Sequence, residues 1–116
     1  MSPTTFSFQD PPTLAFSPKR IAERLTYGFD FINLLNSGEA LTSGTWYINP
    51  LRPVGAPLPV AMIFGSPNIQ GTSQIFQQIQ SGTEGVLYNV VAQVTTNFNN
   101  VLEQDALLLT SNDPFE

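Results

Sequence analysis

The sequence predicts an all-β protein, an antiparallel β-sandwich that carries an extended N-terminal arm. One long strand with a single apolar face is indicated by the spacing of Val86, Tyr88, Val90, Ala92 and Val94, which recur at every second position. Ten prolines and eight glycines interrupt the chain, and its apolar runs are rich in Val, Ile, Thr and Phe. These residues favour strands and turns over helices.

The strand from Val86 to Thr96 is predicted to be the central strand of the sandwich. It resembles the strand of immunoglobulin-like domains in which a tyrosine stands two positions before a cysteine. Tyr88 takes the position of the tyrosine and Val90 that of the cysteine. The predicted sandwich is therefore immunoglobulin-like, and 116 residues suit one such domain.

Residues 1–18 are predicted to form the arm, because their four prolines exclude a helix. Fully extended, they reach on the order of 50–60 Å at ~3.3 Å per residue, far enough to cross an adjacent subunit. A frayed terminus is the alternative. The regular spacing of apolar residues favours docking, with candidate contacts at Phe6, Phe8, Leu14 and Phe16. The sandwich domain is then expected over residues 19–110, with a C-terminal tail over 111–116.

The first elements of the domain follow from local patterns. Ser17 and Pro18 predict a single helical turn. Alternation over residues 25–31 predicts a first strand that sends Tyr27 and Phe29 to the core, while Asp30 points away and is expected to bond a turn or the backbone. Residues 41–48 predict a second strand with Leu41, Trp46 and Ile48 in the core and a bulge at Ser43 and Gly44.

The second half of the chain contains the proline-rich segment and four further strands. Prolines at positions 50, 53, 57 and 59 predict a loop or a ragged sheet edge over residues 49–59, since proline cannot donate to a β-ladder. We expect a short strand over 60–64, a turn over 65–68 and a strand over 73–80 that places Ile75, Gln77 and Ile79 on one face. A hairpin over residues 82–85 is predicted to lead into the central strand. The last strand is expected over 101–110.

The residue types in the chain give little support for an enzyme. The chain has no histidine and no cysteine, which excludes Ser-His and Cys-His triads, His-ligated zinc and disulfides. Glu103 and Asp105 share a strand face and could serve a hydrolase or a calcium ion. A solvated edge that discourages sheet pairing is the favoured interpretation. We predict no catalytic, cofactor-binding or metal-binding residue.

The net charge of the chain limits the classes of partner that we expect it to bind. A net charge of −5 with only four cations argues against nucleic acid, whose phosphates need a basic surface. No apolar run approaches the ~18 residues of a membrane span, so no membrane partner is expected. Lys19, Arg20 and Arg24 lie within six positions and indicate either a site for an acidic partner or a solvated turn.

Several segments, taken in order, resemble the tailed-phage fiber-tail adaptor family, small virion structural proteins. The first is Leu25-Thr26-Tyr27-Gly28-Phe29-Asp30-Phe31, and the second is Gly38-Glu39-Ala40-Leu41-Thr42-Ser43 with Trp46-Tyr47-Ile48. The third is Gly82-Thr83-Glu84-Gly85-Val86-Leu87-Tyr88-Asn89-Val90 with Val94-Thr95-Thr96. The resemblance spans about residues 25–110.

This resemblance implies a non-enzymatic virion protein that links receptor-binding fibers to the tail or neck. Its expected partners are other phage tail, neck or fiber proteins, together with further copies of itself in a symmetric homo-oligomer on the virion. Assembly is expected in the cytoplasm of the bacterial host. Besides the arm, the candidate interface residues are Leu51, Val54, Leu58 and Phe115, and the core is expected to contain Tyr27, Phe29, Trp46, Tyr88 and Val90.

Two other functions remain open on the sequence. A capsid decoration or cement protein would use the same small sandwich and the same arm. A carbohydrate-binding module would need an exposed aromatic residue beside amides, and Tyr47 with Asn49 is the best pair for it.

Overall fold

Two antiparallel sheets of three strands each make up the computed structural model, which describes residues 15–55 and 61–112. This confirms the all-β prediction. The strands are β1 (Leu25–Asp30), β2 (Leu41–Arg52), β3 (Ile63–Gln70), β4 (Gln74–Ile79), β5 (Val86–Thr96) and β6 (Val101–Thr110). A short 3-10 turn, Ile32–Leu34, follows β1. Of the predicted interface residues, Phe6, Phe8, Leu14, Leu58 and Phe115 lie outside the described residues.

The strand order is β1-β4-β3 in one sheet and β2-β5-β6 in the other. β5 therefore lies at the centre of its sheet, as predicted. Its burial alternates at every residue from Val86 to Thr96, with the even positions buried. A strand with this pattern packs one face against a core and leaves the other face partly open to water.

The core lies between the inner faces of the two sheets and is rich in aromatic residues. The Phe16 ring is 4.7 Å from the Tyr27 ring and 5.4 Å from the Phe29 ring, and Phe29 is 5.1 Å from Trp46, between centroids. Aromatic pairs at such distances contribute about 0.5–1.5 kcal/mol beyond the area they bury. The structure buries all five predicted core residues, Tyr27, Phe29, Trp46, Tyr88 and Val90.

Phe16 requires a correction, because the sequence analysis placed it among the interface residues of the arm. It is 8% exposed and belongs to the core of its own chain. The reason is that residues 15–19 lie alongside β6 in a parallel direction, where the Phe16 N–H donates to the Leu107 carbonyl at 2.9 Å and the Lys19 N–H to the Leu109 carbonyl at 2.9 Å. This pairing also replaces the predicted helical turn, and only a turn in which Glu23 N donates to the Arg20 carbonyl follows it.

For the first part of segment 49–59 the structure favours the sheet edge over the loop, because β2 continues to Arg52. Pro50 lies opposite Tyr88, and the register shifts immediately after it. β2 is paired in its sheet on one side only, by β5. An edge strand with an irregular register tolerates a proline, since the missing N–H need not serve a second neighbour.

Two predicted turns are also wrong. Residues 65–68 do not end a strand but form a bulge within β3, where the register against β4 shifts between Phe64 and Asn68. Residues 82–85 do not close a hairpin, because β4 and β5 belong to different sheets. The segment instead carries the chain from one sheet to the other, and Ser81, Gly82 and Gly85 adopt positive φ angles of 60°, 108° and 78° on the way.

Gly44 lets the two sheets approach each other closely. A Cβ at this position would lie 2.3 Å from Ile75 Cδ1 and 3.2 Å from Val94 Cγ1. The predicted bulge at Ser43 and Gly44 lies here, since the β2 register shifts between Leu41 and Ser43. The glycine thus serves packing across the core as well as the bend of the strand.

Candidate interaction surfaces

Positive charge is confined to one end of the molecule. All four cations lie at the end where β1 and β3 begin and where β2 and β6 finish, and they are Lys19, Arg20, Arg24 and Arg52. Asp30 lies at the opposite end, where β1 finishes, with Glu39 in the β1–β2 connection and Glu103 near the start of β6. Asp105 lies near the middle of β6. In the described part of the chain, no cation accompanies these four acids. Glu23 and Glu84 lie instead at the end of the cations, where they accept from the Arg20 N–H at 2.9 Å and the Asn112 N–H at 3.2 Å.

Exposed apolar side chains gather at the same two ends. Of the nine large hydrophobic residues that the described chain exposes, only Tyr47 lies at mid-strand. We define the basic end surface by Arg20, Arg24, Arg52, Leu51 and Val54, near which Leu25 and Phe64 are also exposed. We define the acidic end surface by Asp30, Glu103, Ile32, Leu34, Phe98 and Val101. Apolar side chains rimmed by polar residues are typical of protein interaction sites.

Lys19 holds the basic end together and does not face outward. It has no exposed surface. Its Nζ donates to the carbonyls of Arg20 at 2.7 Å, Ile21 at 3.3 Å and Ser81 at 2.6 Å. Burial lowers the pKa of the Lys19 ammonium, and the nearby charge of Glu23 opposes that shift. Lys19 is therefore not available to an acidic partner, which removes one member of the cation group that the sequence indicated.

Arg24 is also engaged, although it remains at the surface. Its guanidinium lies 3.7 Å from the centre of the Phe64 ring. Nε and Nη2 donate to Gln80 Oε1 at 3.1 Å and 3.0 Å. These contacts join the starts of β1 and β3 to the end of β4, and the stacking on Phe64 is of the cation–π kind. The basic end surface is thus built on a fixed frame.

Glu39 plays the corresponding part at the acidic end. Its carboxylate accepts hydrogen bonds from the Asn36 backbone at 2.9 Å, from Thr96 Oγ1 at 2.5 Å and from the Asn100 amide at 2.9 Å. The Asn36 backbone bond, followed by the Thr96 bond, lowers the pKa of Glu39 against the opposing effect of burial. The cluster fixes the β1–β2 connection to the β5–β6 turn, and so it sets the positions of Leu34 and Phe98.

The Glu39 cluster predicts an acid-dependent stability. Because the folded pKa of Glu39 lies below its unfolded value, the stabilisation is complete above the unfolded pKa and is lost as the pH falls through the folded pKa. We expect Glu39→Gln to flatten that part of the curve when the free energy of unfolding is measured from pH 7 to pH 3. The exposed acid Asp105, replaced by asparagine, serves as the control. Identical curves for Glu39→Gln and the parent chain would contradict the assignment.

Two predicted interface residues are among the described ones, apart from Phe16. Leu51 is 43% exposed and Val54 is 96% exposed, and both lie at the basic end. Asp30 bonds the backbone as predicted, since its Oδ1 accepts from the Ile32 N–H at 3.0 Å.

The sequence analysis missed the acidic end surface entirely. Its apolar members are Ile32, Leu34, Phe98 and Val101. The available signal was that Ile32, Leu34 and Phe98 lie between the predicted strands, where an apolar side chain finds no core position.

The residues considered for a hydrolase, a metal site or a carbohydrate site are exposed. Glu103 accepts a hydrogen bond from Gln93 at 2.8 Å, and Asp105 is exposed. Within residues 15–55 and 61–112, no group of three or more acidic side chains could hold a metal ion. Tyr47 and Asn49 are exposed on the outer face of the β2-β5-β6 sheet. In the same residues, no helix has the length and apolar character to cross a membrane.

Comparison with known proteins places these features in a family. A family model described as the podophage GP4 fiber-tail adaptor protein gp77 matches residues 19–109. The match covers most of the chain, including all six strands up to the penultimate residue of β6. Among curated proteins, no relative matches the sequence.

Proposed function

Because this chain belongs to the podophage GP4 fiber-tail adaptor family, and is a virion structural adaptor, we propose that its two ends are the surfaces that join fiber and tail. The observation that carries the proposal is the separation of exposed residues along the molecule. Apolar side chains occur at both ends. All four cations lie at one end, beside Glu23 and Glu84, whereas the charged residues described at the other end are all acids. Opposite charges suit two different partners, since complementary potentials steer association and reject the wrong surface.

The basic end is the better candidate for a large interface. Leu51 and Val54 lie there, and the segments that contain Leu58 and Phe115 are attached to the same end, after Gly55 and after Asn112. Among the described residues, both predicted interface residues outside the arm thus belong to this end. Exposed apolar residues near exposed arginines match the composition of interface cores, in which arginine is enriched.

We also infer that the two sheets form an immunoglobulin-like sandwich. The strand orders β1-β4-β3 and β2-β5-β6 correspond to strands B-E-D and C-F-G of that fold. Trp46 lies on the strand that corresponds to C. The Tyr88 hydroxyl accepts a hydrogen bond from the Thr83 N–H at 3.0 Å, which is the geometry of a tyrosine corner. Val90, fully buried, takes the place of the usual cysteine.

The arm is proposed to link neighbouring copies in a symmetric oligomer on the virion. Residues 1–14 contain Phe6, Phe8 and Leu14, and they precede the point at which Ala15 joins β6. A segment attached at a sheet edge can dock on an adjacent subunit that repeats the same contact around a symmetry axis. Assembly in the host cytoplasm suits a chain without cysteine, which needs no oxidising compartment.

Deletion of residues 1–14 tests the role of the arm. Phe16 stays in place, so the domain should keep its stability. The loss of apolar contacts worth ~1.5–3 kcal/mol each should reduce the copies of the chain per particle by at least about tenfold. Copies are counted by quantitative mass spectrometry of purified particles, with Phe6→Leu and Phe8→Leu in the full chain as a conservative control. Unchanged copy number in the deleted chain would show that the arm does not hold the subunits together.

A further inference from the structure

A polar groove lies on the outer face of the β1-β4-β3 sheet, and none of the residues that define the two end surfaces lines it. Its volume is about 490 Å³, within the range of small-ligand sites. It is lined by Thr26, Ser66, Asn68, Gln70, Phe76, Gln77 and Gln78. No residue in this lining carries a charge.

Phe76 contributes an aromatic ring to the groove, and Gly28 determines how that ring lies. A Cβ on Gly28 would be 2.4 Å from both Cδ1 and Cε1 of the Phe76 ring. The ring therefore occupies space that only a glycine leaves free, on the strand paired with its own. It leans across the sheet from β4 toward β1 and remains partly accessible. A ring in this position presents an apolar surface with a negative face.

The bulge in β3 forms one wall of the groove, and Gln77 holds it in place. Gln77 is 2% exposed, and its Nε2 donates to the carbonyls of Phe64 at 2.8 Å and Gly65 at 3.1 Å. These carbonyls lie where the ladder with β4 is interrupted. Ser66 and Asn68 follow directly on the bulge and line the groove. The buried Gln77 Oε1 has no hydrogen-bond partner among the described residues.

The other polar side chains of the groove are not used in the fold. Gln74, Gln80 and Gln93 bond Asp30, Arg24 and Glu103 elsewhere in the molecule. By contrast, Asn68, Gln70 and Gln78 make no side-chain hydrogen bond within the described residues, although all three line the groove. Each free amide offers two donors and an acceptor. The groove thus gathers amide side chains that have no hydrogen-bond partner among the described residues around one aromatic ring.

We propose that this groove binds a neutral saccharide. Sugar hydroxyls both donate and accept hydrogen bonds, which matches amide and hydroxyl side chains that do the same. The C–H face of a sugar ring packs on an aromatic ring such as Phe76. A phosphate or an acidic sugar would require a cation, and a metal ion would require carboxylates, and the lining has neither. The site is independent of the adaptor role of the two ends.

The proposal differs from the carbohydrate site that the sequence indicated. Tyr47 and Asn49 lie on the outer face of the other sheet. Tyr47 lies opposite Val91 in the sheet, and Val91 lies opposite Asp105, so a carboxylate belongs to the same row of residues as Tyr47. Tyr47 and Asn49 therefore provide a matched control surface, with an exposed aromatic ring and an amide on the same protein but outside the groove.

The test uses the full chain labelled with ¹⁵N and titrated with neutral oligosaccharides. The probes are cellohexaose, maltohexaose, laminarihexaose and a mannohexaose, with trigalacturonic acid as the acidic comparison, followed by the same chain on a printed array of neutral glycans. We expect at least one neutral glycan to shift the side-chain amide signals of Asn68, Gln70 and Gln78. Phe76→Leu and Gln78→Ala should each weaken that binding about tenfold, whereas Tyr47→Leu and Asn49→Ala should leave it unchanged.

Gln78 is exposed and makes no side-chain bond within the described chain, so Gln78→Ala keeps the test valid if Phe76→Leu disturbs the fold. The proposal is overturned if no neutral glycan on the array or in the titrations binds. It is equally overturned if binding persists in both groove variants and is lost in Tyr47→Leu, or if a peptide of residues 1–14 shifts the groove signals and the glycans do not.

Discussion

Replacing Leu51 and Val54 together by aspartate is expected to reduce incorporation of the chain into phage particles by at least about a hundredfold. Each apolar side chain contributes ~1.5–3 kcal/mol when it is fully buried in a contact, and every 1.4 kcal/mol changes an equilibrium about tenfold. Two buried negative charges weaken the contact further. The fold should not change, because Leu51 is 43% exposed and Val54 is 96% exposed.

This expectation is measured by quantifying the chain in purified particles against a major capsid protein. Tyr47→Asp is the matched control, since Tyr47 is 46% exposed on the same strand but lies away from the ends. Thermal unfolding of the isolated variants checks that each chain remains folded. If the double variant enters particles as well as Tyr47→Asp does, the basic end is not the interface.

Among single substitutions at the two ends of the molecule, Lys19→Met is expected to cause the largest loss of stability. Methionine retains most of the side-chain volume but donates no hydrogen bond. The carbonyls of Arg20, Ile21 and Ser81 then lose their charged donor, whose side chain has no exposed surface. Leaving buried carbonyls unsatisfied costs ~1–3 kcal/mol for each group, so we expect a decrease of about 3 kcal/mol in the free energy of unfolding.

Urea unfolding of the isolated chain measures this decrease. Arg20→Met is the control, because it removes the same charge one position later from an exposed side chain, and surface substitutions of this kind stay within about 0.5 kcal/mol. Equal stability of the two variants would mean that the Lys19 bonds contribute nothing to holding residues 15–24 against the domain.

The parts of the fold that the sequence predicted well are those with strong local periodicity. β5 alternates without interruption, so Val86 to Thr96 could be assigned to a strand with a known buried face. β4 likewise keeps Ile75, Gln77 and Ile79 on one face as predicted, and that face is the buried one. A period of two is imposed by backbone geometry, and it is visible in any sequence in which one face meets a core.

The errors occur where non-local pairing decides the outcome. Pro50 is compatible with a loop or with a sheet edge on the sequence alone, and the pairing of β2 on one side only decides for the edge. Gly82 and Gly85 read as a hairpin, yet they join strands of different sheets. Turn residues specify a change of direction and not the partner of the next strand.

The candidate surfaces were predictable only in part, for the same reason. Leu51 and Val54 could be assigned from the proline-rich segment alone. Lys19 looked like a member of an exposed cation group, whereas its carbonyl partner Ser81 lies far away in the sequence. The acidic end depends on Glu39 bonding Thr96 and Asn100, which brings two distant turns together. At each end, only the folded chain brings such distant residues together.

The central claim is that this chain works as an adaptor at the junction of fiber and tail, through its end surfaces. The most direct measurement is electron cryo-microscopy of particles in which the chain carries a compact fused label. The account predicts label density at one vertex, between the tail and the base of the fibers, repeated with the symmetry of the tail. Label density spread over the capsid shell would contradict it and would indicate a decoration protein.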